Sequence, residues 1–394
     1  MLEDKDLIQR LRDSHYDLLL TDPCLGAGTI LAKYLKLPLV YNVRWTIQGE
    51  AHFDIAPSPL SYVPFTGTQL TDKITFFERV KNCLIAVLGT YRMATISEPV
   101  YKPLLKKYFG EVDYSAFFTD ADIWLMRNDF LFEYPRPTMP NVVYMSGFQC
   151  KPPKALPPDL EEFVQSSGDH GIVMMSLGTL VFQLPTEITE EIAAAFAALP
   201  QKVIWRHLGK RPANLGNNTL LVKWFPQNDL LGHPKTRVFV THGGTNGLQE
   251  AIYHGVPIIG IPLFFDQPEN LSRIKAKGGA VTVDIAELDR HMLGDALKTV
   301  LTEASYTENM KRLSRLQKDQ PLSPLDQAVF WIEFVIRHKG APHLKSHSNT
   351  LSWVVYHSLD VIGALLCACL LIICTFVYVV RSVWRRIFRR VKQG

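Results

Sequence analysis

Between residues 171 and 283 the chain alternates in a regular way. Short apolar runs, "GIVMMSLG", "KVIWRH", "TLLVKW", "RVFVT", "VPIIGIP" and "GAVTV", are separated by segments of helical periodicity at 186–199, 245–254 and 268–277. Unbroken apolar runs bounded by glycine, proline or polar residues mark strands buried on both faces. Strands that alternate with helices in this way predict a parallel, doubly wound sheet. Helices then continue to about residue 338. The first part of the chain repeats the pattern more loosely: "YDLLLTD" (16–22) and "LPLVYNV" (37–43) flank a helix from about Gly26 to Leu35, giving one βαβ step. After a helical region to about Tyr108, "ADIWLMRN" and "NVVYMSG" read as two more strands. Residues 44–70, rich in Pro, Ser and Gly, predict a long loop, and the proline-rich stretch 148–170 predicts an interdomain linker.

The pattern changes once more near the end. "VIGALLCACLLIICTFVYVV", residues 361–380, holds twenty residues without a charge. At about 1.5 Å per residue it crosses a bilayer core of about 30 Å, which predicts a transmembrane helix. The tail that follows, 381–394, carries six Arg or Lys and no acid. Positive charge stays on the cytosolic side, so the tail is expected there and the large upstream body across the membrane. Residues 341–360 form the juxtamembrane segment. The opening "MLEDKDLIQRLRD" is charged and lacks the apolar stretch of a secretory signal.

Composition narrows the classes. With 394 residues, 47% of them hydrophobic, the chain suffices for two α/β domains. Its net charge is only +4, and the body is at −2 once the six tail cations are set aside, so no nucleic-acid partner is expected. Cys367, Cys369 and Cys374 lie in the apolar span, while Cys24, Cys83 and Cys150 are scattered, with no disulfide framework and no metal-ligand spacing. Two sequons, Asn217-Asn218-Thr219 and Asn270-Leu271-Ser272, suit a lumenal body.

Ligands of doubly wound sheets bind outside the carboxyl ends of the strands. In "RVFVTHGGTNGLQEAIYHGVP" a buried strand runs into His242-Gly243-Gly244 and a helix begins at once. The glycines let backbone approach a ligand, and the free N–H groups of the first helical turn, with Thr245 and Asn246 beside them, form an anion site suited to phosphate. The bland alternative is a helix start with a histidine satisfied by backbone. Trp224 closes another strand and is followed by Gln227, placing an aromatic face for a nucleobase and an amide at the same rim; a core tryptophan is the alternative. Glu250, one turn after Asn246, suits ribose hydroxyls, and Asp266-Gln267 suit sugar hydroxyls. H-G-G-T-N-G is not G-x-G-x-x-G, which disfavours a nicotinamide cofactor and a dehydrogenase.

The run "WFPQNDLLGHPKTRVFVTHGGTNGLQEAIYHGVPIIGIPLFFDQ", with "QPLSPLDQAVFWIEFVIRHKGAPHL" and the apolar anchor, resembles the UDP-glycosyltransferases, specifically the membrane-bound UDP-glucuronosyltransferases of animals. The resemblance implies a GT-B architecture: two Rossmann-like doubly wound domains, an incomplete acceptor-binding one over 1–147 and a UDP-sugar-binding one over 171–340, joined by the linker 148–170. It implies that Trp224 stacks on uracil, Gln227 holds base or ribose, and Glu250 takes the ribose hydroxyls. His242, Gly243, Gly244 and Asn246 would bind the diphosphate, with Ser176, Gly178 and Thr179 of "SLGT" lining it. Asp266 and Gln267 would hold the sugar, and Arg127 an anionic part of the donor.

The implied reaction moves a sugar from a UDP-sugar, as co-substrate and without a cofactor or metal, to a hydroxyl of a small lipophilic acceptor with inversion. UDP-glucuronic acid is the implied donor, with glucose, galactose and N-acetylglucosamine as alternatives. In the family a histidine far ahead of an aspartate takes the acceptor's proton. Asp22 matches that aspartate, yet only twenty-one residues precede it, and His15 sits in the polar lead-in to a strand. The resemblance therefore implies an N-terminally truncated glucuronosyltransferase of the endoplasmic reticulum membrane, able to form oligomers with itself or with family members. Its alternative is a non-catalytic UDP-sugar-binding or regulatory partner of full-length relatives.

Overall fold

A computed structural model describes residues 1–391 apart from 47, 48 and 182. The body, Met1–Leu344, holds two parallel sheets. The first has the order β1-β2-β3-β4, with β1 Leu19–Thr21, β2 Leu39–Val43, β3 Ile123–Met126 and β4 Val142–Tyr144. The second comprises β5 Ile172–Ser176, β6 Lys202–Arg206, β7 Thr219–Val222, β8 Thr236–Thr241, β9 Ile258–Gly260 and β10 Ala280–Thr282. Its order is β10-β9-β8-β5-β6-β7. The strand order reverses between β5 and β8, and such a switch point opens a crevice at the carboxyl ends of both strands.

The apolar runs form strands because both faces find cover. In β5, Ile172 and Met174 pack into one core, while Val173 and Met175 pack into the core on the other face. Phe239 of β8 joins the first core, and Val238 and Val240 the second. The same alternation runs through the first sheet, where Tyr41, Trp124 and Met126 line one face and Val40, Ile123 and Leu125 the other. The βαβ step of the sequence is β1, the helix Ala27–Leu35 and β2.

Three differences from the expected layout have physical causes. A helix, Pro158–Gln165, stands inside the stretch read as linker, because its prolines fall before or at the first turn and Leu160 and Val164 bury one face. A short helix, Ala51–Ile55, interrupts the loop 44–70. The helix Pro324–His338, reached by sequence from the second sheet, packs on the first: Ala328 and Val335 cover Val40, Ile123, Leu125 and Val143. Taken by packing, that helix is part of the N-terminal half.

The remaining unit, Lys345–Gly394, contains a long helix, Leu359–Val391, of which Leu359–Arg385 is long and apolar enough to cross a membrane. The last three residues of the basic tail lie outside the described residues.

Candidate functional site

The carboxyl ends of the second sheet bring the expected donor residues to one rim. β8 ends at Thr241, so His242 lies at the switch point beside the loop that follows β5. The loop can take this path only with glycine. Gly178 has φ +74°, and a Cβ there would lie 2.8 Å from Cε1 and Nε2 of His242; a Cβ on Gly244 would lie 2.6 Å from Nε2. The imidazole is thus held between two bare backbone segments. Burial is the main cause that pulls its pKa below the ordinary histidine value, which favours the uncharged ring. Gly243, at φ +89°, turns the chain into the helix Thr245–His254, whose first-turn N–H groups open toward the rim with Asn246 exposed at its tip. On the β5 side Ser176 is buried, Gly178 half-buried and Thr179 exposed.

Two further groups flank this centre. Trp224, just past β7, is 72% exposed, which removes the core reading and leaves a bare indole face. Gln227 and Glu250 are joined by a 2.7 Å hydrogen bond from Gln227 Nε2 to Glu250 Oε2, and burial raises the Glu250 carboxyl. On the other side, Asp266 Oδ2 accepts from Thr245 Oγ1 at 3.1 Å and from Asn270 Nδ2 at 2.7 Å. Gln267 is buried, and its Oε1 accepts from the N–H groups of Leu263 and Phe264 at 2.8 and 3.1 Å. Its carbonyl therefore shapes the loop, leaving only its amide nitrogen for another partner. Asn270 is likewise 3% exposed and donates to Gly243 O at 3.1 Å, so this sequon is a structural strut, whereas Asn217 is exposed.

The first sheet faces this rim with its own carboxyl ends. Asp22, Arg44 and Arg127 immediately follow the neighbouring strands β1, β2 and β3. Asp22 is exposed, and its Oδ1 accepts from Cys24 N at 2.8 Å. His15 precedes β1 and lies at the opposite, amino end of the sheet from Asp22, so it is not placed to act with it. Arg127 Nε is buried without a hydrogen-bond partner, its guanidinium is 5.2 Å from the Phe148 ring centroid, and burial, followed by Arg44, lowers its pKa. Between the sheets lies a cleft whose walls include Arg44, Arg127, Glu133, Thr245, Asp266 and Arg273.

Sequence reasoning missed the ionic network beside that cleft. From the second half, Arg273 reaches Glu133 at 2.9 Å and Glu50 at 3.9 Å, and Glu269 accepts the N–H groups of Gly67 and Gln69 at 3.2 and 3.0 Å. Glu50 is also paired with Arg136 and with Thr66 Oγ1 at 2.7 Å. Burial alone would push the Glu50 carboxyl up, but His52, Arg136 and Arg273 hold it far below the usual carboxylate range. Asp54, hydrogen-bonded by Thr46 at 2.6 Å, is pushed up to about 7, chiefly by burial. The available signal was the i,i+4 spacing of Glu269 and Arg273 on a predicted helix, too common to single out.

The family model described as UDP-glucoronosyl and UDP-glucosyl transferase matches residues 1–394. The chain is 48% identical to UDP-glucuronosyltransferase 2A3 of Mus musculus, over 93% of this chain and 69% of the relative. It is equally 48% identical to UDP-glucuronosyltransferase 2B10 of Homo sapiens, over 93% and 70%. Among solved structures, CalG4, the calicheamicin glycosyltransferase, aligns with a TM-score of 0.59 at 18% identity, covering 83% of this chain and 76% of that one. The spinosyn forosaminyltransferase SpnP aligns with a TM-score of 0.59 at 18% identity, covering 84% and 79%. These likenesses show the two-sheet GT-B fold.

Proposed function

Because the chain belongs to the UDP-glucoronosyl and UDP-glucosyl transferase family, we propose that the rim of its second sheet is where the UDP-sugar of this glycosyl transfer is bound. Uracil stacks on Trp224, Gln227 and Glu250 take base and ribose, and the diphosphate lies between the Ser176–Thr179 loop and the start of the helix Thr245–His254. Asp266, the amide nitrogen of Gln267 and Arg127 address the sugar, glucuronic acid being the favoured one. The single observation that carries this reading is the His242 ring set against the bare backbone of Gly178 and Gly244 at the strand-order switch point.

The chemistry follows from that arrangement. An acceptor hydroxyl attacks the anomeric carbon and gives up its proton to solvent, the bond to the β-phosphate oxygen breaks, and the electron pair leaves on UDP. Fixed amide dipoles and the imidazole N–H stabilise that growing charge without reorganising. Small lipophilic hydroxyl compounds are the acceptors, received at the carboxyl ends of the first sheet, where Asp22 stands. The apolar helix holds the protein in the endoplasmic reticulum membrane with the body lumenal.

Calorimetric titration of Trp224→Ala tests the assignment. Base–aromatic stacking is worth about 1–3 kcal/mol, so UDP and UDP-glucuronic acid should both bind about 5- to 150-fold more weakly. An unchanged UDP affinity would remove the indole from the site.

A further inference from the structure

Arg44 is the one cation by which the first sheet touches the rim of the second among the ion pairs of the described residues that involve Asp266. It follows β2 directly, and its NH2 donates to Thr245 Oγ1 at 3.1 Å and lies 3.6 Å from Asp266 Oδ2. Thr245 is the first residue of the helix whose N–H groups face the crevice. Asp266 does not depend on the arginine, since Thr245 and Asn270 already donate to the same oxygen. The guanidinium also stands close enough to His242 and to Arg127 to disfavour protonation of both. Two arginines, a histidine and a helix start thus converge on one corner of the cleft, which is lined by Arg44, Arg127, Thr245 and Asp266.

The charge there is uneven. Glu50, Glu133 and Glu269 outnumber Arg136 and Arg273, the arginines they meet within the buried network. Arg44 and Arg127 share no carboxylate of that network and face only Asp266 and the more distant Asp22. A diphosphate seated on the first turn of Thr245–His254 would bring its oxygens to Arg44, which already touches that turn. An arginine fork presents two parallel donors to phosphate oxygens, a geometry that a lysine or an amide cannot reproduce.

We propose that Arg44 is a donor-binding residue supplied by the acceptor half: with a nucleoside diphosphate in the crevice, its guanidinium takes the phosphate oxygens beside Thr245 at the helix start. The inference rests on the reading of the second rim as the diphosphate site. It makes the diphosphate, rather than apolar packing, the group that joins the two halves at this corner. Arg44 then also meets the charge that collects on the leaving UDP during transfer.

The test is titration of the full chain in detergent with UDP, uridine, UDP-glucose and UDP-glucuronic acid, for wild type, Arg44→Gln, Arg44→Lys and Trp224→Ala. A charge-assisted hydrogen bond to phosphate is lost in Arg44→Gln, so UDP and both UDP-sugars should bind about 10- to 100-fold more weakly. Uridine affinity should stay unchanged, and Arg44→Lys should recover part of the loss. Undiminished UDP affinity in Arg44→Gln would overturn the proposal, as would an equal loss for uridine. A loss confined to UDP-glucuronic acid would overturn it in favour of the sugar carboxylate. Trp224→Ala separates the two levels: if it binds UDP as well as wild type does, the rim itself has been misassigned and the role of Arg44 falls with it.

Discussion

Adding one methyl group at residue 178 should damage both stability and nucleotide binding. Gly178 holds φ +74°, where an L side chain costs about 1–2 kcal/mol. The new methyl would also sit 2.8 Å from two atoms of the His242 ring. The backbone at Gly244 also crowds the ring, its Cβ direction lying 2.6 Å from Nε2, which limits how far the ring can yield. Overpacking of this kind costs about 1–3 kcal/mol, giving a total of about 2–5 kcal/mol for Gly178→Ala. At about 2–4 °C per kcal/mol, thermal unfolding in detergent should drop by roughly 4–20 °C. UDP titration of the surviving folded protein should show weaker binding, because the imidazole has been moved off the diphosphate. Gly294→Ala is the control: it lies in the helix Arg290–Thr302 with nothing within 4 Å of an added Cβ, and should be neutral or gain about 0.5–1 kcal/mol. If Gly178→Ala melts and binds UDP like wild type, the ring is not clamped as described and the argument from glycine to site fails.

Two further outcomes are expected. Asp54 has a carboxyl raised from 3.8 to about 7 in the folded state, so the fold holds a proton that the unfolded chain releases between about pH 4 and 7. Stability contributed by this group is therefore lost as pH rises through that window; Asp54→Asn should melt higher than wild type at pH 8 and by a smaller margin at pH 5, and equal margins would refute the buried acid. In a secretory-pathway host, Asn217→Gln should remove a glycan detectable as a glycosidase-sensitive mobility shift. Asn270→Gln should remove none while lowering the melting temperature, and a shift there would contradict the burial of Asn270.

How far the sequence could be read depended on how local the cause was. The strands of the second sheet were readable because the central ones carry apolar runs buried on both faces, and because His242 and its glycines interrupt that pattern abruptly. Trp224 could not be assigned from sequence to core or surface; only its exposure, with β7 ending two residues earlier, decides it. Asn270 looked like a glycan acceptor, yet its side chain is buried and donates to Gly243 O, and backbone N–H groups take the Gln267 carbonyl while leaving its amide nitrogen. The helix Pro158–Gln165 hid among prolines that sit at its start and do not break it. Arg44, the Glu133–Arg273 pair and the return of Pro324–His338 to the first sheet are products of long-range contact, with no periodicity to announce them. Arg44 does obey the rule of strand ends, standing directly after β2 of the first sheet.

The returning helix sets the limit for any soluble version of the protein. Ending the gene before residue 324 would strip Ala328 and Val335 from Val40, Ile123, Leu125 and Val143, baring an apolar sheet face that promotes aggregation. A stop codon placed after Leu344 removes the bilayer anchor and keeps that roof in place.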